Sequence, residues 1–251
     1  LFVPGDSLRK FEKARAGEAD ALILDLEDSV ALAQKQAARE TVAQMLSARR
    51  EGPALWVRIN PFGTGLTDDD LAAVLPHAPD GLVLPKCEGP EDVNALAALL
   101  DAGGADTPIM AIVTETARSL FTLGEYHRAD ARLWGMMWGA EDLAASLGAR
   151  ENGARTGYHE PFRLARTLCL AGAAAAGVIA VDTICAVLDD LDVVTREAKE
   201  ARRDGFGAKA VIHPRHVAPV NAAFTPTEAE LAHARKVLAA FAADPTAGGV
   251  R

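Results

Sequence analysis

Short apolar runs alternate with amphipathic stretches along the whole chain. The runs at 1–3, 21–26, 54–60, 81–86, 108–115, 133–139, 177–184 and 208–213 are almost continuously apolar. That is the pattern of strands buried on both faces of a parallel sheet. Helical patterns fill the intervals. Ser7 caps a predicted helix over 8–16, and Gly17 stops it. Thr67 and Asp68–Asp70 open 71–75, and Pro90-Glu91-Asp92 start 93–102, with acids and proline suited to a first turn. Further amphipathic helices are predicted over 191–203 and 227–243. The Ala/Gly-rich stretch 164–181 reads as a packed helix entering a strand, not as a membrane span.

About eight strands alternating with about eight helices predict an α/β fold, a (β/α)8 TIM barrel. A single domain is expected over 1–251, with an additional C-terminal helical extension at about 226–243. A doubly wound open sheet is the structural rival. It lacks its usual signature here, since no G-x-G-x-x-G or G-x-x-x-x-G-K-[ST] motif follows a strand. The connection 139–161 is long, and long β-to-α loops of barrels usually carry function.

Composition narrows the function classes. The net charge of −9 argues against sequence-independent binding to nucleic acid or to an anionic membrane. Three widely spaced cysteines, Cys87, Cys169 and Cys185, form no zinc pattern, and a reduced cytoplasm is the expected compartment. The chain opens on Leu1-Phe2-Val3 without a methionine. The native protein is therefore expected to extend beyond both ends, and no targeting signal is visible.

Candidate chemistry gathers at the strand ends. The second strand closes on Asp25, Glu27 and Asp28, and the third on Arg58. Lys86 closes the fourth, Glu115 the fifth, Asp182 the seventh and His213 the eighth. The sixth runs into Gly139-Ala140-Glu141-Asp142. Adjacent strands lie ~5 Å apart, so Glu115 and an acid of the next strand end are expected to share one hard cation. Mg²⁺ suits one or two carboxylates and leaves positions for water and substrate oxygens. Spacing alone leaves open whether Glu141 or Asp142 faces the ion. It also leaves Arg58 open, as a clamp for a substrate carboxylate or as an ion-pair partner of Glu27 or Asp28. Lys86 and His213 read as supports, and Trp134, Met136, Met137 and Trp138 as packing.

The segments LFVPGDSLRKFEKA, ADALILDLEDSV, WVRIN, LPK, ETA, WGAEDLAASLG and AVIHPRHV occur in order along essentially the whole chain. Together they resemble the citrate lyase β-subunit-like branch of the HpcH/HpaI aldolase family. The resemblance implies a Mg²⁺-dependent TIM barrel that cleaves or forms a carbon–carbon bond between a 2-oxo acid such as oxaloacetate and an acyl thioester. It implies metal ligation by Glu115 and Asp142 and substrate-carboxylate binding by Arg58. It also implies an oxo-acid cradle at Gly139, Ala140, Glu141 and Asp142, and ordering of metal-bound water by Glu27 and Asp28.

The implied activity is that of a citryl-, malyl- or citramalyl-thioester lyase, with coenzyme A or an acyl-carrier protein as the acyl carrier. Its rivals are a class II-type aldolase acting on free 2-oxo acids and a non-catalytic oxo-acid-binding subunit. A homo-oligomer, a trimer or a multiple of it, is expected. Relatives that cleave malyl-type thioesters carry an acid in a C-terminal segment covering a neighbouring subunit's site. The terminal residues Ala247, Gly248, Gly249, Val250 and Arg251 offer no match to it.

Overall fold

A computed structural model describes residues 1–48, 52–154 and 156–243. The sequence 247–251, where a C-terminal acid was sought, lies outside them. The chain alternates β1 (Phe2–Pro4), α1 (Leu8–Arg15), β2 (Ala21–Asp25), α2 (Lys35–Ser47), β3 (Ala54–Arg58), α3 (Thr67–Val74), β4 (Gly81–Leu84), α4 (Pro90–Ala102) and β5 (Ile109–Ile112). It continues with β6 (Leu133–Met137), α5 (Glu141–Leu147), a hairpin of β7 (Gly153–Ala154) and β8 (Gly157–Tyr158), α6 (Glu160–Ala176), β9 (Ile179–Asp182), α7 (Leu191–Asp204), β10 (Ala208–Lys209), α8 (Val217–Phe224) and α9 (Glu228–Ala243).

Eight of these strands form one parallel sheet in the order β1-β2-β3-β4-β5-β6-β9-β10, and the hairpin stands apart. All eight expected strands are present, mostly shorter at their C-terminal ends than the apolar runs. The sheet curls so that its edges approach, and the Phe2 N–H donates to the Val211 carbonyl at 2.9 Å.

The period-2 pattern sorts the core into two layers. Leu22 and Leu24, Leu55 and Val57, Leu82 and Leu84, and Ile109 and Ala111 pack with the helices. Their alternates Ile23, Trp56, Val83, Met110, Ile112, Met137, Val181 and Ala210 fill the concave interior. Two residues further along β2 and β3 stand Asp25 and Arg58, which therefore share the interior face and are paired in register. Asp182 follows Val181 directly and so faces the helix layer. It accepts from Trp138 Nε1 (2.7 Å), Arg166 Nε (3.0 Å) and Lys209 Nζ (2.9 Å). The expectation that Asp182 joins the strand-end site is corrected by this parity.

Between β5 and β6 no α-helix forms. The chain makes 3-10 turns at Arg118–Phe121 and Leu123–Arg128 instead. Ser119 and Thr122 hydroxyls bond main-chain carbonyls of Thr116, Ser119 and Glu88, offering the backbone partners that compete with a regular helix. The C-terminal α9 starts with a capping box in which Thr227 and Glu230 exchange hydrogen bonds. Arg202 of α7 holds Glu230 at 2.9 Å. Leu238, 69% exposed, and Phe241 remain uncovered on α9. No described helix is long and apolar enough to cross a membrane.

Candidate active site

A cavity of 410 Å³ opens at the C-terminal ends of the strands. Asp25, Asp28, Arg58, Glu115 and the Gly139–Asp142 peptide line it, with Ile112, Met137 and Trp138 among its apolar walls. Of the residues singled out at the strand ends, Asp25, Asp28, Arg58, Glu115 and Gly139–Asp142 border this cavity, whereas Glu27, Lys86, Asp182 and His213 do not.

Arg58 is held by a two-point ion pair, Nε to Asp25 Oδ1 and Nη2 to Asp25 Oδ2, both 2.7 Å. The Asp25 carboxylate also accepts from the Glu27 N–H (2.9 Å) and the Ser29 N–H (3.1 Å). Burial, the largest influence on Asp25, acts to raise its pKa. The Arg58 bonds and charge, with the Ser29 and Glu27 donors, still hold it below the usual range. Asp25 thus fixes the guanidinium plane. Arg58 Nη1 lies 2.9 Å from Glu27 Oε2 and 3.6 Å from Asp28 Oδ2.

Glu27 is buried, and its Oε2 has no hydrogen-bond donor among the described residues despite the nearby Arg58 charge. Its other oxygen takes Lys86 Nζ at 2.5 Å. Burial raises the Glu27 pKa, with Asp28 adding to it, while Arg58 and Lys86 pull the other way. Asp28 is 55% exposed at the rim.

Glu115 lies three residues past β5. It is buried, with Oε2 accepting from the Lys86 main-chain N–H at 2.6 Å. Burial first, and the Glu27 charge second, push its pKa up to about 8. Gly139 gives Glu115 room, since a Cβ there would stand 3.0 Å from Glu115 Cγ. Thr114, fully buried, locks the same peptide: its hydroxyl accepts from Gly139 N–H (2.9 Å) and donates to the Gly139 carbonyl (3.2 Å). Sequence reasoning missed Thr114; the only signal was a hydroxyl inside an apolar strand end.

Ala140 precedes α5, and the next two acids diverge. Glu141 accepts from Asn152 Nδ2 at 2.8 Å, whereas Asp142 Oδ2 receives Lys86 Nζ at 3.2 Å. The Asp142 carboxylate is therefore the one that shares Lys86 with Glu27 and Glu115. His213 caps a short 3-10 turn, accepting from Arg215 N–H.

The donor set fits a hard divalent cation. Glu115 and Asp142 bring carboxylate oxygens to one residue, Lys86, at the same cavity, and burial pushes the Glu115 pKa up. Among the described residues no cluster of three or more His, Cys, Asp or Glu is arranged to ligate a metal. Two carboxylates match the sparse protein ligation of Mg²⁺ rather than a zinc or calcium cage.

Residues 1–214 match the family model described as HpcH/HpaI aldolase/citrate lyase. The chain belongs to the HpcH/HpaI aldolase/citrate lyase family. It thereby joins a family of carbon–carbon lyases. A citrate lyase subunit beta-like protein of Mycobacterium tuberculosis is 39% identical over 245 residues, covering 96% of this chain and 83% of the relative. A (3S)-malyl-CoA thioesterase of Cereibacter sphaeroides is 36% identical, with 96% and 81% covered. A mitochondrial citramalyl-CoA lyase of Mus musculus is 33% identical, with 96% and 75% covered. Among solved structures, M. tuberculosis CitE in complex with magnesium, acetoacetate and coenzyme A superposes with a TM-score of 0.83. It is 37% identical, with 100% of this chain and 89% of that chain covered. The same mycobacterial protein is also known with oxaloacetate and magnesium.

Proposed function

We propose that this protein is a Mg²⁺-dependent lyase that cleaves or forms the carbon–carbon bond between a small 2-oxo acid, such as oxaloacetate, and an acyl thioester of the citryl, malyl or citramalyl type. The observation that carries the reading is the pairing of buried, under-compensated Glu115 with Asp142 at one cavity. The magnesium, oxo-acid and coenzyme A complexes of mycobacterial CitE support it. Consecutive strand order and the Phe2–Val211 bond support a fully closed (β/α)8 barrel forming a single domain.

Glu115 and Asp142 would hold the cation, which supplies Lewis-acid polarisation of a carbonyl oxygen and neutralises charge. Arg58 has five N–H donors; those not given to Asp25 or turned to Glu27 are left for a substrate carboxylate. Asp25 keeps the guanidinium oriented before substrate arrives, the preorganisation on which electrostatic stabilisation depends. The Gly139–Asp142 peptide, locked by Thr114, cradles the oxo acid. Asp28 orders water at the rim with buried Glu27 behind it, and Ile112, Met137 and Trp138 exclude water below. In the cleavage direction the substrate hydroxyl gives up its proton to a base. The carbon–carbon bonding pair leaves with the thioester carbon, which is then protonated, so the products are an oxo acid and an acyl thioester.

Thioester hydrolysis is a second reading, favoured by the Cereibacter relatives. Incubating the protein and Mg²⁺ with malyl-, citramalyl- and citryl-CoA separates the two. Release of an oxo acid with acyl-CoA supports the lyase; release of free coenzyme A with intact hydroxy acid supports hydrolysis. Turnover that persists unchanged in Glu115→Gln with Asp142→Asn would sink the metal assignment.

A further inference from the structure

Lys86 stands at the centre of the acids, although neither the reaction nor the family assignment gives it a role. Its ammonium contacts Glu27 Oε1 at 2.5 Å, Asp142 Oδ2 at 3.2 Å and Asp28 Oδ1 at 3.8 Å. Its main-chain N–H meanwhile binds Glu115. One residue thus touches both carboxylates proposed as metal ligands, one through its backbone and one through its charge.

The backbone at Lys86 is unusual. Its φ is +52°, in the left-handed region that non-glycine residues rarely occupy. Glycine would take that φ without strain and keep the N–H to Glu115. Lysine adds the ammonium, delivered over Glu27 and Asp142. Strain kept at a site is a reason to look for what it holds in place.

The two cations in contact with the acids differ in freedom. Arg58 is anchored by both Asp25 oxygens. The Lys86 side chain is 31% exposed and hangs on a flexible stem. A dication bound by Asp142 a few ångströms from an ammonium is repelled by it, and this repulsion is strong where water is scarce.

We propose that the Lys86 ammonium is a tethered counter-cation that occupies Asp142 in the metal-free protein and yields it when a divalent cation loads. Lys86 thereby keeps the acids apart and in position while the site waits, and it lowers the site's intrinsic affinity for the metal. The proposal rests on the Glu115–Asp142 metal reading.

Titration calorimetry with MgCl2 alone, at fixed pH and ionic strength, tests it on the full chain without substrate. Lys86→Met keeps the bulk of the side chain, and Lys86→Gly keeps the backbone conformation. Both are expected to bind Mg²⁺ about tenfold or more tighter than wild type. Lys199→Met, an exposed charge loss on α7, is expected to match wild type. Equal or weaker affinity in both Lys86 variants, with binding still dependent on Glu115, overturns this proposal alone. Wild-type affinity that Glu115→Gln leaves unchanged overturns the metal reading and this proposal with it.

Discussion

Asp25 and Arg58, opposed in register on β2 and β3, close a two-point ion pair with both contacts at 2.7 Å. Both side chains are nearly buried; Asp25 gives Arg58 its two-point counter-charge, and Glu27 adds a second carboxylate at 2.9 Å. Asp25→Asn leaves a buried guanidinium with half a partner. We expect it to cost about 3–5 kcal/mol of stability and to weaken oxo-acid binding. Urea denaturation checks the first; an unchanged midpoint would show that solvent already compensates Arg58.

Arg58→Lys is expected not to rescue function. An ammonium cannot keep the planar fork on Asp25 while presenting further donors to a carboxylate. Oxaloacetate binding should fall about 10–100-fold, the worth of a charged hydrogen bond, with Mg²⁺ affinity retained. If lysine and alanine variants both bind oxaloacetate like wild type, Arg58 is a structural ion-pair residue.

Gly139→Ala places a methyl 3.0 Å from Glu115 Cγ and 3.4 Å from its Oε1. Glu115 then has to give way by a few tenths of an ångström, which strains its bond from the Lys86 N–H. The overpacking is expected to cost about 1–3 kcal/mol, and Mg²⁺ affinity should drop with it. A crystal structure of the variant with Glu115 in place and calorimetry matching wild type would reject this coupling.

His216 gives a pH signature outside the site. It is buried, and neither ring nitrogen has a hydrogen-bond partner among the described residues. Burial depresses its pKa, helped by His213, Lys209 and Arg215 and opposed by the Leu188 main chain. The unfolded chain therefore takes up this proton first. Stability from His216 is complete above its ordinary pKa near 6.5 and falls as pH drops below that value toward the depressed folded one. Between about pH 7.5 and 5 the wild type should lose more stability than His216→Phe. Parallel stability–pH curves for the two proteins would contradict this.

The α9 helix is expected to serve assembly. It carries exposed Leu238 and Phe241, held to the rest of the protein by Arg202–Glu230. Truncation after Phe224 should lower the sedimenting mass of the expected homo-oligomer, a trimer or a multiple of it. A truncated protein with the wild-type mass ratio at several concentrations would show that α9 does not hold the assembly together.

The sequence by itself determined the strand and helix order, because each element's burial is written in its own periodicity. Continuous apolar runs marked all eight strands, Ser7 marked a helix start through a local bond from the Lys10 N–H, and Pro90 marked another through its fixed backbone angle. The acids at the strand ends were also legible, since a charge ending an apolar run is a local anomaly.

What the tertiary structure decided was direction and partnership. Residue parity sent Asp25 inward and Asp182 outward, although both end apolar strands. The turn at Ala140 aimed Asp142 at Lys86 and left Glu141 to Asn152. Lys86 looked like a support until the fold brought Glu27 and Asp142 to its ammonium and Glu115 to its main-chain N–H. Apart from Glu141–Asn152, 11 positions apart, these depend on contacts between residues 25–59 positions apart. Periodicity reports which face of its own element a residue occupies, and only the packed sheet fixes what that face meets.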